Sequence, residues 1–585
     1  MKYVYLFGNG QADGKAEMKN LLGGKGANLA EMNHLGIPVP PGFTITTDVC
    51  THYYENDQTF PDELEAELTA ALQATEQIMG TKFGDEQDPL LVSIRSGARQ
   101  SMPGMMETVL NVGLTTKTIP GLIKKTNNAQ FVYDAYRRLI MMYADVVMEK
   151  TAEIELNDGK CIREKLDVIM LEMKDQNGVK NDADLSAENL KELCNIFKST
   201  IIETLKSEFP DDSNTQLWGG ITAVFKSWNG KRAVSYRNIE NIPHDWGTAV
   251  NIQAMVFGNM GDGCATGVAF TRNPATGENQ FYGEWLPNAQ GEDVVAGLRT
   301  PNPLNQMSKS HKSGSLPSLE EMMPEIYVKL DAIQRRLESH YRDMQDIEFT
   351  IQNGRLWMLQ TRVGKRNGTA AIRMAVEMAE EGLIDEQTTL MRVKPEQLDE
   401  IMHPMLDMEV EKQSKVLAVG LPAGPGGGSG QIVFTADDAE SWHKDGKRVI
   451  LVRSETSPED VHGMYASEAI LTSRGGMTSH AALVARGWGK CCVVGCSDLA
   501  ISTQEKSLSV NGTILNEGDW LTVNGSSGKV YPGKIPLKDV NLNENPYFIK
   551  LMEMTDHQRK LGIRTNADSP VDASKARKFG AEGIG

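Results

Sequence analysis

Cysteine is scarce in this sequence of 585 residues. The seven cysteines are odd in number, and no two of them form a CxxC pair. That pattern argues against a disulfide framework and against a structural zinc site. The run that contains Cys491, Cys492 and Cys496 is typical of a buried strand that carries small apolar thiols. Few and unpaired cysteines predict a protein of a reducing compartment, most simply the cytoplasm.

Long apolar runs are also missing. No stretch approaches the roughly 20 apolar residues that span a bilayer, and residues 1–10 lack the apolar core and cleavage site of a signal peptide. Basic residues are outnumbered, with 60 Lys and Arg against 78 Asp and Glu and a net charge of −18. Such an acidic chain is a poor partner for nucleic acid or an anionic membrane, and we expect neither partner. A local basic pocket for phosphate is compatible with this charge.

The composition that remains is that of a folded protein, with 40% hydrophobic and 24% charged residues. The length predicts three or four domains. The first 110 or so residues predict mixed α/β structure, residues from about 130 to 235 predict helices, and the segments after Gly247 predict strands. A second helical segment, a β-hairpin, a helical connection and a compact α/β region are expected at residues 317–345, 346–362, 369–403 and 431–535.

Residues 420–430 (GLPAGPGGGSG) offer almost no side chains for a core, and we expect a turn or hinge there. At the end of the chain, residues 561–566 predict a strand, residues 573–579 a helix and residues 581–585 the start of another strand. A single unit of this kind opens a parallel sheet and cannot bury both of its faces. We therefore expect the chain to be a C-terminally truncated part of a longer protein.

The most specific local pattern surrounds His480, in residues 474–486 (RGGMTSHAALVAR). An apolar strand at 468–472 leads into a glycine turn, and Thr478 or Ser479 is suited to cap the helix that follows. His480 then lies in the first helical turn, where outward N–H groups and the helix dipole favour a phosphate. The same positive end disfavours the imidazolium and leaves a nucleophilic lone pair on the ring. The alternative is a histidine that only begins a helix.

The run GGMTSHAALVAR resembles the phosphohistidine signature of the phosphoenolpyruvate-utilising enzymes. That family includes the pyruvate phosphate dikinases, the phosphoenolpyruvate synthases and Enzyme I of the sugar phosphotransferase system. The signature is long and specific for the family, but it does not distinguish its members. It implies that His480 is the phosphorylated catalytic residue.

Two N-terminal segments narrow the resemblance. Residues 21–28 (LLGGKGAN) place Lys25 after two glycines at a predicted strand-to-helix turn, and residues 92–114 place Arg95 and Arg99 on a predicted glycine-containing loop. Arginines on such a loop hold phosphates, although surface turns with ordinary charges remain an alternative. Together the segments resemble the ATP-grasp-like nucleotide domain of the pyruvate phosphate dikinases, and SMPGMMETVLNVGL is closer to that group than to the synthases. Further matching segments extend the resemblance over essentially the whole chain.

The predicted hairpin allows a physical check. A two-residue Asn-Gly turn pairs Gln352 with Arg355 and places Asp346 and Glu348 on the face of Leu359 and Thr361. A three-residue loop with Gly354 at a bulge instead pairs Asp346 with Gln360 and Glu348 with Met358.

Only the second register collects the polar residues Asp346, Glu348, Gln360 and Arg362 on one face and the apolar residues on the other. We therefore predict the bulged register. Two carboxylates beside a phosphate site would hold Mg²⁺ through oxygen ligands. An amphipathic hairpin whose charges face water is the alternative.

The resemblance implies nucleotide- or phosphate-binding roles for several residues, with Asp346 and Glu348 also as ligands of Mg²⁺. These residues are Lys25, Arg95, Ser96, Gly97, Asp346, Glu348, Gln360 and Arg362. In plant relatives the threonine two residues before the histidine is phosphorylated, which makes Thr478 a possible regulatory phosphosite; capping alone is the alternative.

The resemblance also implies a multidomain fold of the α/β and α+β type. We expect an ATP-grasp-like domain at 1–365 with a helical subdomain at about 130–235, and a helical linker at 366–415. A swivelling α/β phosphohistidine domain is expected at 416–535, with hinges at 420–430 and near 535. Residues 536–585 would begin an incomplete (β/α)₈ barrel, the pyruvate-binding domain of the family.

The implied reaction converts ATP, phosphate and pyruvate to AMP, pyrophosphate and phosphoenolpyruvate through a phosphohistidine on His480. The pyruvate site is expected to be missing from this chain, so only the ATP and phosphate half-reaction is predicted for it. A synthase-like dikinase, in which water accepts the phosphate, and a non-catalytic ATP-binding or phosphocarrier remnant remain alternatives. The family is homo-oligomeric, a state that a fragment need not share.

Overall fold

The computed structural model describes residues 1–102, 104–152, 154, 161–295, 301–309, 316–401, 405–510, 512–538, 542–578 and 580–585. Three larger β-sheets and the helices around them make up the described chain. The helices are Lys19–His34, Thr47–Glu55, Leu64–Met79, Ile119–Thr126, Ala129–Tyr143, the π-helix Ala144–Lys150, Ile162–Asn177, Ala187–Leu205, Ser213–Ser227, Lys231–Ile239, Gly291–Val295, Leu319–Met322, Pro324–Tyr341, Gly368–Glu380, Glu386–Arg392, Pro395–Ile401, Met408–Gln413, Ala436–Lys444, Val461–Ala466, His480–Gly487, Pro546–Gln558 and Pro570–Lys578.

The first sheet has six antiparallel strands. Their spatial order is Gln11–Ala12, Val4–Gly8, Gly42–Ile45, Thr248–Ala254, Val92–Ala98 and Thr108–Val112. Every residue of Thr248–Ala254 is buried because this strand lies in the middle of the sheet, between Gly42–Ile45 and Val92–Ala98. Helix Lys19–His34 contacts the sheet, and helix Ser213–Ser227 packs so closely that a Cβ on Gly220 would lie 2.5 Å from Cδ1 of Ile94.

The predicted helical character of residues 130–235 is confirmed in the described part of this range by six of the helices given above, from Ala129–Tyr143 to Lys231–Ile239. Their buried residues recur at helical spacing, as in Ala187–Leu205, and form one core with the six-stranded sheet. The sequence Asn157-Asp158-Gly159 also predicts a break in this helical region, and these three residues lie outside the described residues. The proposed domain bounds stay a prediction.

The second sheet has five antiparallel strands. Their order is Asn302–Pro303, Tyr282–Pro287, Ala265–Phe270, Gln345–Gln352 and Arg355–Val363. One face packs its apolar residues, among them Ile347 and Phe349, under helix Pro324–Tyr341. The opposite face carries the charged residues of the hairpin.

The register predicted for this hairpin is wrong, but the predicted faces are confirmed. The turn is the two-residue Asn-Gly turn, with Gln352 opposite Arg355. The register shifts farther along the hairpin, between Glu348 and Phe349, where Leu359 is the extra residue opposite them. Beyond this bulge Glu348 lies opposite Gln360, and Asp346 lies opposite Arg362. The bulge therefore collects the four polar side chains on one face although the turn is short.

The third sheet has eight strands. Their order is Ala418–Val419, Lys529–Pro532, Trp520–Asn524, Gly427–Val433, Val449–Arg453, Ala469–Thr472, Cys491–Val494 and Leu421–Pro422. The run from Gly427–Val433 to Cys491–Val494 is parallel. A three-stranded sheet of Ala500–Ser502, Ser507–Val510 and Thr513–Asn516 follows it in sequence.

The prediction of a turn or hinge at 420–430 is wrong for its second half. Residues 427–430 lie inside a central strand, paired with Trp520–Asn524. The glycines serve close approach of neighbouring chains, since a Cβ on Gly428 would lie 2.7 Å from Cβ of Ala469 and 3.0 Å from the carbonyl oxygen of Glu468. Glycine therefore allows tight packing in this strand, not a bend.

Two-stranded pairs complete the described sheets. Met405–Leu406 pairs with Leu537–Lys538, and Lys82–Phe83 pairs with Pro89–Leu90. Near the end of the chain, Arg564–Thr565 and Gly583–Ile584 form a parallel pair across helix Pro570–Lys578, which confirms the βαβ order expected there. Among the described helices, none has the length and apolar content needed to cross a membrane.

Because Gly428 and Ala469 pack closely, we expect the effects of substitutions at these two positions on stability to depend on each other. Gly428→Ala should destabilise the protein by about 1–3 kcal/mol, because the new methyl group overpacks the contact with Ala469. Chemical denaturation measures this loss. Ala469→Gly placed in the same chain should restore part of it, because it removes the opposing Cβ. Strictly additive effects of the two substitutions would contradict the proposed contact.

Candidate functional site

Lys25 follows a break inside a helix rather than the predicted strand-to-helix turn. Helix Lys19–His34 is interrupted at Gly23, whose φ of 66° and ψ of 170° are not helical. A Cβ on Gly23 would lie 1.7 Å from the carbonyl oxygen of Gly97, so only glycine permits this approach. The break places Lys25 at the start of the second helical segment, against strand Val92–Ala98.

Arg95 lies on that strand, and the predicted loop around Ser96 and Gly97 is wrong. Successive side chains alternate along a strand, so Ser96 points to the face opposite Arg95. The N–H of Gly97 donates to Oγ1 of Thr248 at 3.2 Å and is therefore occupied within the sheet. The structure brings Arg95 to the hairpin but does not bring the side chain of Ser96 with it.

Arg95 joins the two antiparallel sheets. Its Nη2 donates to Oε1 of Gln253 at 2.6 Å and to the carbonyl oxygen of Leu359 at 3.0 Å. Leu359 is the bulged residue of the hairpin, which leaves its carbonyl free for this bond. Nη1 of Arg95 also lies 3.9 Å from Oε2 of Glu348.

Arg362 and Asp346 form the central ion pair of the hairpin face, with Nε of Arg362 at 2.7 Å from Oδ2 of Asp346. Asp346 is 2% exposed, and its Oδ1 is buried without a hydrogen-bond partner among the described residues. Burial raises the pKa of the Asp346 carboxyl, against the opposing effect of Arg362. Nη1 of Arg362 reaches Oγ of Ser101 at 3.4 Å. Gln360 is buried beside Glu348.

The site carries more positive than negative charge around one small region. Burial, and next the nearby Arg95, lower the pKa of Lys25 to about 7, and Arg362 acts in the same direction. Burial also lowers the pKa of Arg95. A buried lysine whose pKa is lowered by burial and by two neighbouring arginines favours a multiply charged anion, because such a ligand restores the charge balance.

His480 is the first residue of helix His480–Gly487. Its Nδ1 lies 3.0 Å from Oγ1 of Thr456, while its Nε2 is buried and has no hydrogen-bond partner among the described residues. In the tautomer in which Nδ1–H donates to Thr456, Nε2 carries the lone pair. The geometry thus leaves one ring nitrogen available as a nucleophile.

The pKa of His480 is lowered from its ordinary value of 6.5 to about 4. The direction agrees with the expectation from the helix start, but burial is the largest cause. Arg232 lowers the pKa further, and Glu459 opposes both effects. The imidazole is therefore neutral at physiological pH.

Side-chain capping by Thr478 or Ser479, which the sequence suggested, is wrong. Ser479 occupies the N-cap position, but its hydroxyl makes no capping bond and has no hydrogen-bond partner in the described chain. Thr478 instead donates its hydroxyl to Oε2 of Glu284 at 3.2 Å, and the N–H of Met477 donates to Oε1 at 3.2 Å. Glu284 belongs to strand Tyr282–Pro287 of the five-stranded sheet. These bonds therefore dock residues 473–479, here called the histidine loop because it leads into His480, on that sheet.

Further contacts hold the same arrangement. Nη1 of Arg232 lies 3.1 Å from Oε1 of Glu459, a residue close to His480. Nε1 of Trp488 donates to Oε1 of Glu240 at 2.9 Å. A Cβ on Gly104 would lie 3.4 Å from Cδ2 of His480. The loop that also carries Ser101, a neighbour of Arg362, thus touches the imidazole. Ser101 and Gly104, three residues apart, thus lie next to Arg362 of the hairpin and next to His480, respectively.

The described residues include no cluster of three or more His, Cys, Asp or Glu side chains suited to a metal ion. Asp346 and Glu348 nevertheless offer hard oxygen donors on one face of the hairpin, and Oδ1 of Asp346 lacks a partner within the described chain. A divalent cation held by one or two carboxylates and completed by ligand phosphates fits this pair.

Comparison with known families identifies the chain. Residues 19–59, 56–323 and 304–383 match the family "Pyruvate phosphate dikinase, AMP/ATP-binding domain". The chain belongs to the pyruvate phosphate dikinase family. Residues 446–528, which contain His480, match the mobile domain of the phosphoenolpyruvate-utilising enzymes. These findings agree with a mixed α/β, multidomain protein.

Curated relatives extend the match to the entire chain. It is 49% identical over 584 residues to the pyruvate, phosphate dikinase of Rhizobium meliloti and 48% identical over 585 residues to that of Clostridium symbiosum. It is 50% identical over 585 residues to the chloroplastic dikinase 1 of Arabidopsis thaliana. Each alignment covers 100% of this chain but 63%, 64% and 58% of the respective relative. The chain thus spans about three fifths of these relatives.

Sequence reasoning missed several residues that the structure adds to the site. They are Gln253, Glu284, Thr456, Glu459, Arg232 and Arg486. Arg486 stands inside the quoted histidine motif but received no role. Glu284 belongs to a predicted strand, and no local pattern shows which partner its carboxylate meets. What places these residues in the site is contact between segments far apart in sequence, which a local motif does not show.

The lowered pKa of His480 predicts its titration. Because the folded-state pKa lies below the ordinary 6.5, protonation of this ring opposes folding. The stability that the neutral ring contributes is complete above about pH 6.5 and is lost as the pH falls toward 4. NMR of selectively labelled histidine should show a midpoint near 4 for His480.

Two variants test the assigned causes. Arg232→Gln should raise the midpoint, because it removes a neighbouring positive charge, and Glu459→Gln should lower it. A wild-type midpoint near 6.5, or opposite shifts in the two variants, would contradict the burial and charge argument.

Proposed function

We propose that this chain transfers phosphoryl groups from ATP to His480, as the nucleotide and phosphohistidine part of a pyruvate, phosphate dikinase. One observation carries the proposal: a neutral imidazole, whose buried Nε2 has no hydrogen-bond partner among the described residues, is docked on the sheet that carries the hairpin. The family match and the names of the relatives support the same reaction class.

In the proposed first step, Nε2 of His480 attacks the β-phosphorus of ATP. The bond from that phosphorus to the bridging oxygen breaks, AMP leaves, and a pyrophosphorylated histidine remains. Thr456 accepts from Nδ1–H throughout, which holds the reactive tautomer. Inorganic phosphate then takes the terminal phosphoryl group and leaves as pyrophosphate, so that phosphohistidine remains.

The cationic residues of the hairpin region bind and orient the phosphates. Lys25, Arg95 and Arg362 lie around Glu348, where they offset charge that develops on the transferred oxygens. Gln360 lies on the same face and is proposed to bind the nucleotide. Gly97 contributes by its close approach to Gly23, while a role for Ser96 rests on its backbone alone.

Magnesium is the proposed divalent cation. Asp346 and Glu348 would hold it together with phosphates of the nucleotide. When bound, the ion would neutralise phosphate charge and fix the orientation of the transferred group. Oδ1 of the buried Asp346 has no partner among the residues that the structure describes, which supports this assignment, since such an oxygen needs a donor or a cation.

The last step of the family's reaction, transfer to pyruvate, is proposed for a whole protein of the length of the curated relatives. Phosphohistidine would pass its phosphoryl group to pyruvate enolate and yield phosphoenolpyruvate. The finer fold assignments belong to the same proposal: an ATP-grasp-like nucleotide domain, a swivelling phosphohistidine domain and the opening unit of a (β/α)₈ barrel. The structure places all seven cysteines outside disulfide bonds, which supports the proposed cytoplasmic location.

Thr478 is proposed as a regulatory phosphosite. Its hydroxyl is buried against the carboxylate of Glu284 in the docked arrangement. A phosphate on this hydroxyl would bring two negative groups together and oppose docking of the histidine loop.

Labelling from ATP tests the proposed function. The purified chain, incubated with Mg²⁺ and ATP labelled at the β-phosphate, should acquire acid-labile, base-stable label. His480→Ala should abolish the label. His462→Ala should retain it, because His462 pairs with Asp437 at the surface of the same region. Label that persists in His480→Ala would contradict the assignment.

Inorganic phosphate separates the dikinase from the alternatives. Added phosphate should raise release of AMP and pyrophosphate from the wild-type chain. Release that ignores phosphate would favour water as acceptor, the synthase-like reaction. ATP binding without any label would indicate a non-catalytic module.

The metal assignment has its own test. Asp346→Asn should raise the Mg²⁺ concentration needed for half-maximal labelling at least about tenfold, because it weakens a carboxylate ligand. Asp331→Asn is the matched control, since Asp331 pairs with Arg335 on a neighbouring helix. An unchanged Mg²⁺ requirement in Asp346→Asn would remove Asp346 from the metal site.

A further inference from the structure

Arg486 is a fully buried cation that the proposed reaction does not yet use. It lies on helix His480–Gly487, six residues after His480, and is 1% exposed. Its Nη2 donates to the carbonyl oxygen of Met477 at 2.5 Å. Its Nε and Nη1 are buried and have no hydrogen-bond partner among the described residues. Buried guanidinium donors without acceptors are costly, so a partner for them is expected.

The guanidinium of Arg486 lies on the five-stranded sheet, not within its own sheet. Its Cζ is 5.5 Å from the centroid of the Phe270 ring. Phe270 is the cross-strand partner of Tyr282 on one side and of Asp346 on the other, and Asp346 is the partner of Arg362. Directly opposed residues share a face, so Arg486 lies over the row that contains the buried ion pair.

In contrast to Arg486, Asp346 carries an acceptor atom that lacks a donor. Its Oδ1 is buried without a partner in the described chain, just as Nε and Nη1 of Arg486 are. The two side chains therefore do not satisfy each other directly. The unpaired carboxylate oxygen needs a cation or a donor, and the unpaired N–H groups need an anionic acceptor. A phosphate group with its bound Mg²⁺ offers both in one ligand.

We propose that Arg486 is a phosphate-binding residue of the nucleotide site. Helix His480–Gly487 brings it to that site when the histidine loop docks on the five-stranded sheet. Its free N–H groups donate to an oxygen of the β- or γ-phosphate, while Asp346 faces the metal ion on the same ligand. This inference rests on the proposed function, because it assumes that ATP binds to the hairpin face. It adds to that face a residue from the region of the chain that contains His480.

A consequence is that nucleotide binding and docking stabilise each other. Arg486 lies over the row of Asp346 in the arrangement in which Glu284 holds Met477 and Thr478. A ligand that bonds to Arg486 therefore favours the docked state, and docking strengthens binding of that ligand by the same factor. AMP lacks the β- and γ-phosphates and should not share this effect.

Binding measurements test the proposal without turnover. In chains that also carry His480→Ala, calorimetry with Mg²⁺ compares ATP and AMP for Arg486 and for Arg486→Gln. The variant should bind ATP about 10- to 100-fold more weakly, the range of a charge-assisted hydrogen bond. Its affinity for AMP should stay within about twofold. Arg486→Lys, which keeps the charge but not the fork, should fall between.

Equal losses for ATP and AMP, or no loss for either, would overturn the proposal. Arg486 would then act only through the Met477 carbonyl, or a water would occupy the gap. Because Arg486 is buried, thermal unfolding of both variants shows whether the fold is retained.

A second variant leaves the buried residues intact. Glu459→Lys places a like charge against Arg232 and should oppose docking, which small-angle scattering detects as a larger particle. The preference for ATP over AMP should then fall in the same direction as in Arg486→Gln. An undocked Glu459→Lys chain with an unchanged preference would overturn the proposal. Failure of the proposed function is distinguishable, because it appears as absent His480 label in the wild-type chain.

Discussion

The buried carboxylate of Glu284 holds the two halves of the candidate site together. It accepts from the N–H of Met477 and from the hydroxyl of Thr478, and burial raises its pKa. A carboxylate with this little access to water depends on such donors, because leaving it unpaired costs several kcal/mol. The position of His480 beside the hairpin, the reach of Arg486 to the same face and the burial of Thr478 all follow from this docking.

The hairpin illustrates how charge is concentrated in this site. The bulge at Leu359 turns Asp346, Glu348, Gln360 and Arg362 to one face and frees a carbonyl for Arg95. Polarity alone predicted which side chains share the face, because apolar residues must occupy the other one. It did not predict where the extra residue lies, since a bulge at the turn and a bulge within the strand segregate the side chains equally well.

Glycine was the least reliable guide to structure. Residues 427–430 of the glycine-rich stretch lie in a central strand rather than a hinge, and the sequence around Gly97 is a strand rather than a loop. At Gly23 the conformational freedom of glycine is used, in the break before Lys25. A missing side chain permits flexibility and close packing alike, and the choice between them depends on neighbours that a local sequence does not name.

The sequence by itself determined the family and indicated the candidate histidine and the residue types of the candidate site, because these lie in contiguous motifs whose chemistry depends on spacing. It also determined most helices and strands, through their hydrophobic periodicity. Only the tertiary structure decided that Ser96 faces away from Arg95, that Thr478 bonds to Glu284 rather than capping a helix, and that Arg486 lies over the row of Asp346. These facts join segments that are far apart along the chain, and burial and electrostatics act between neighbours in space.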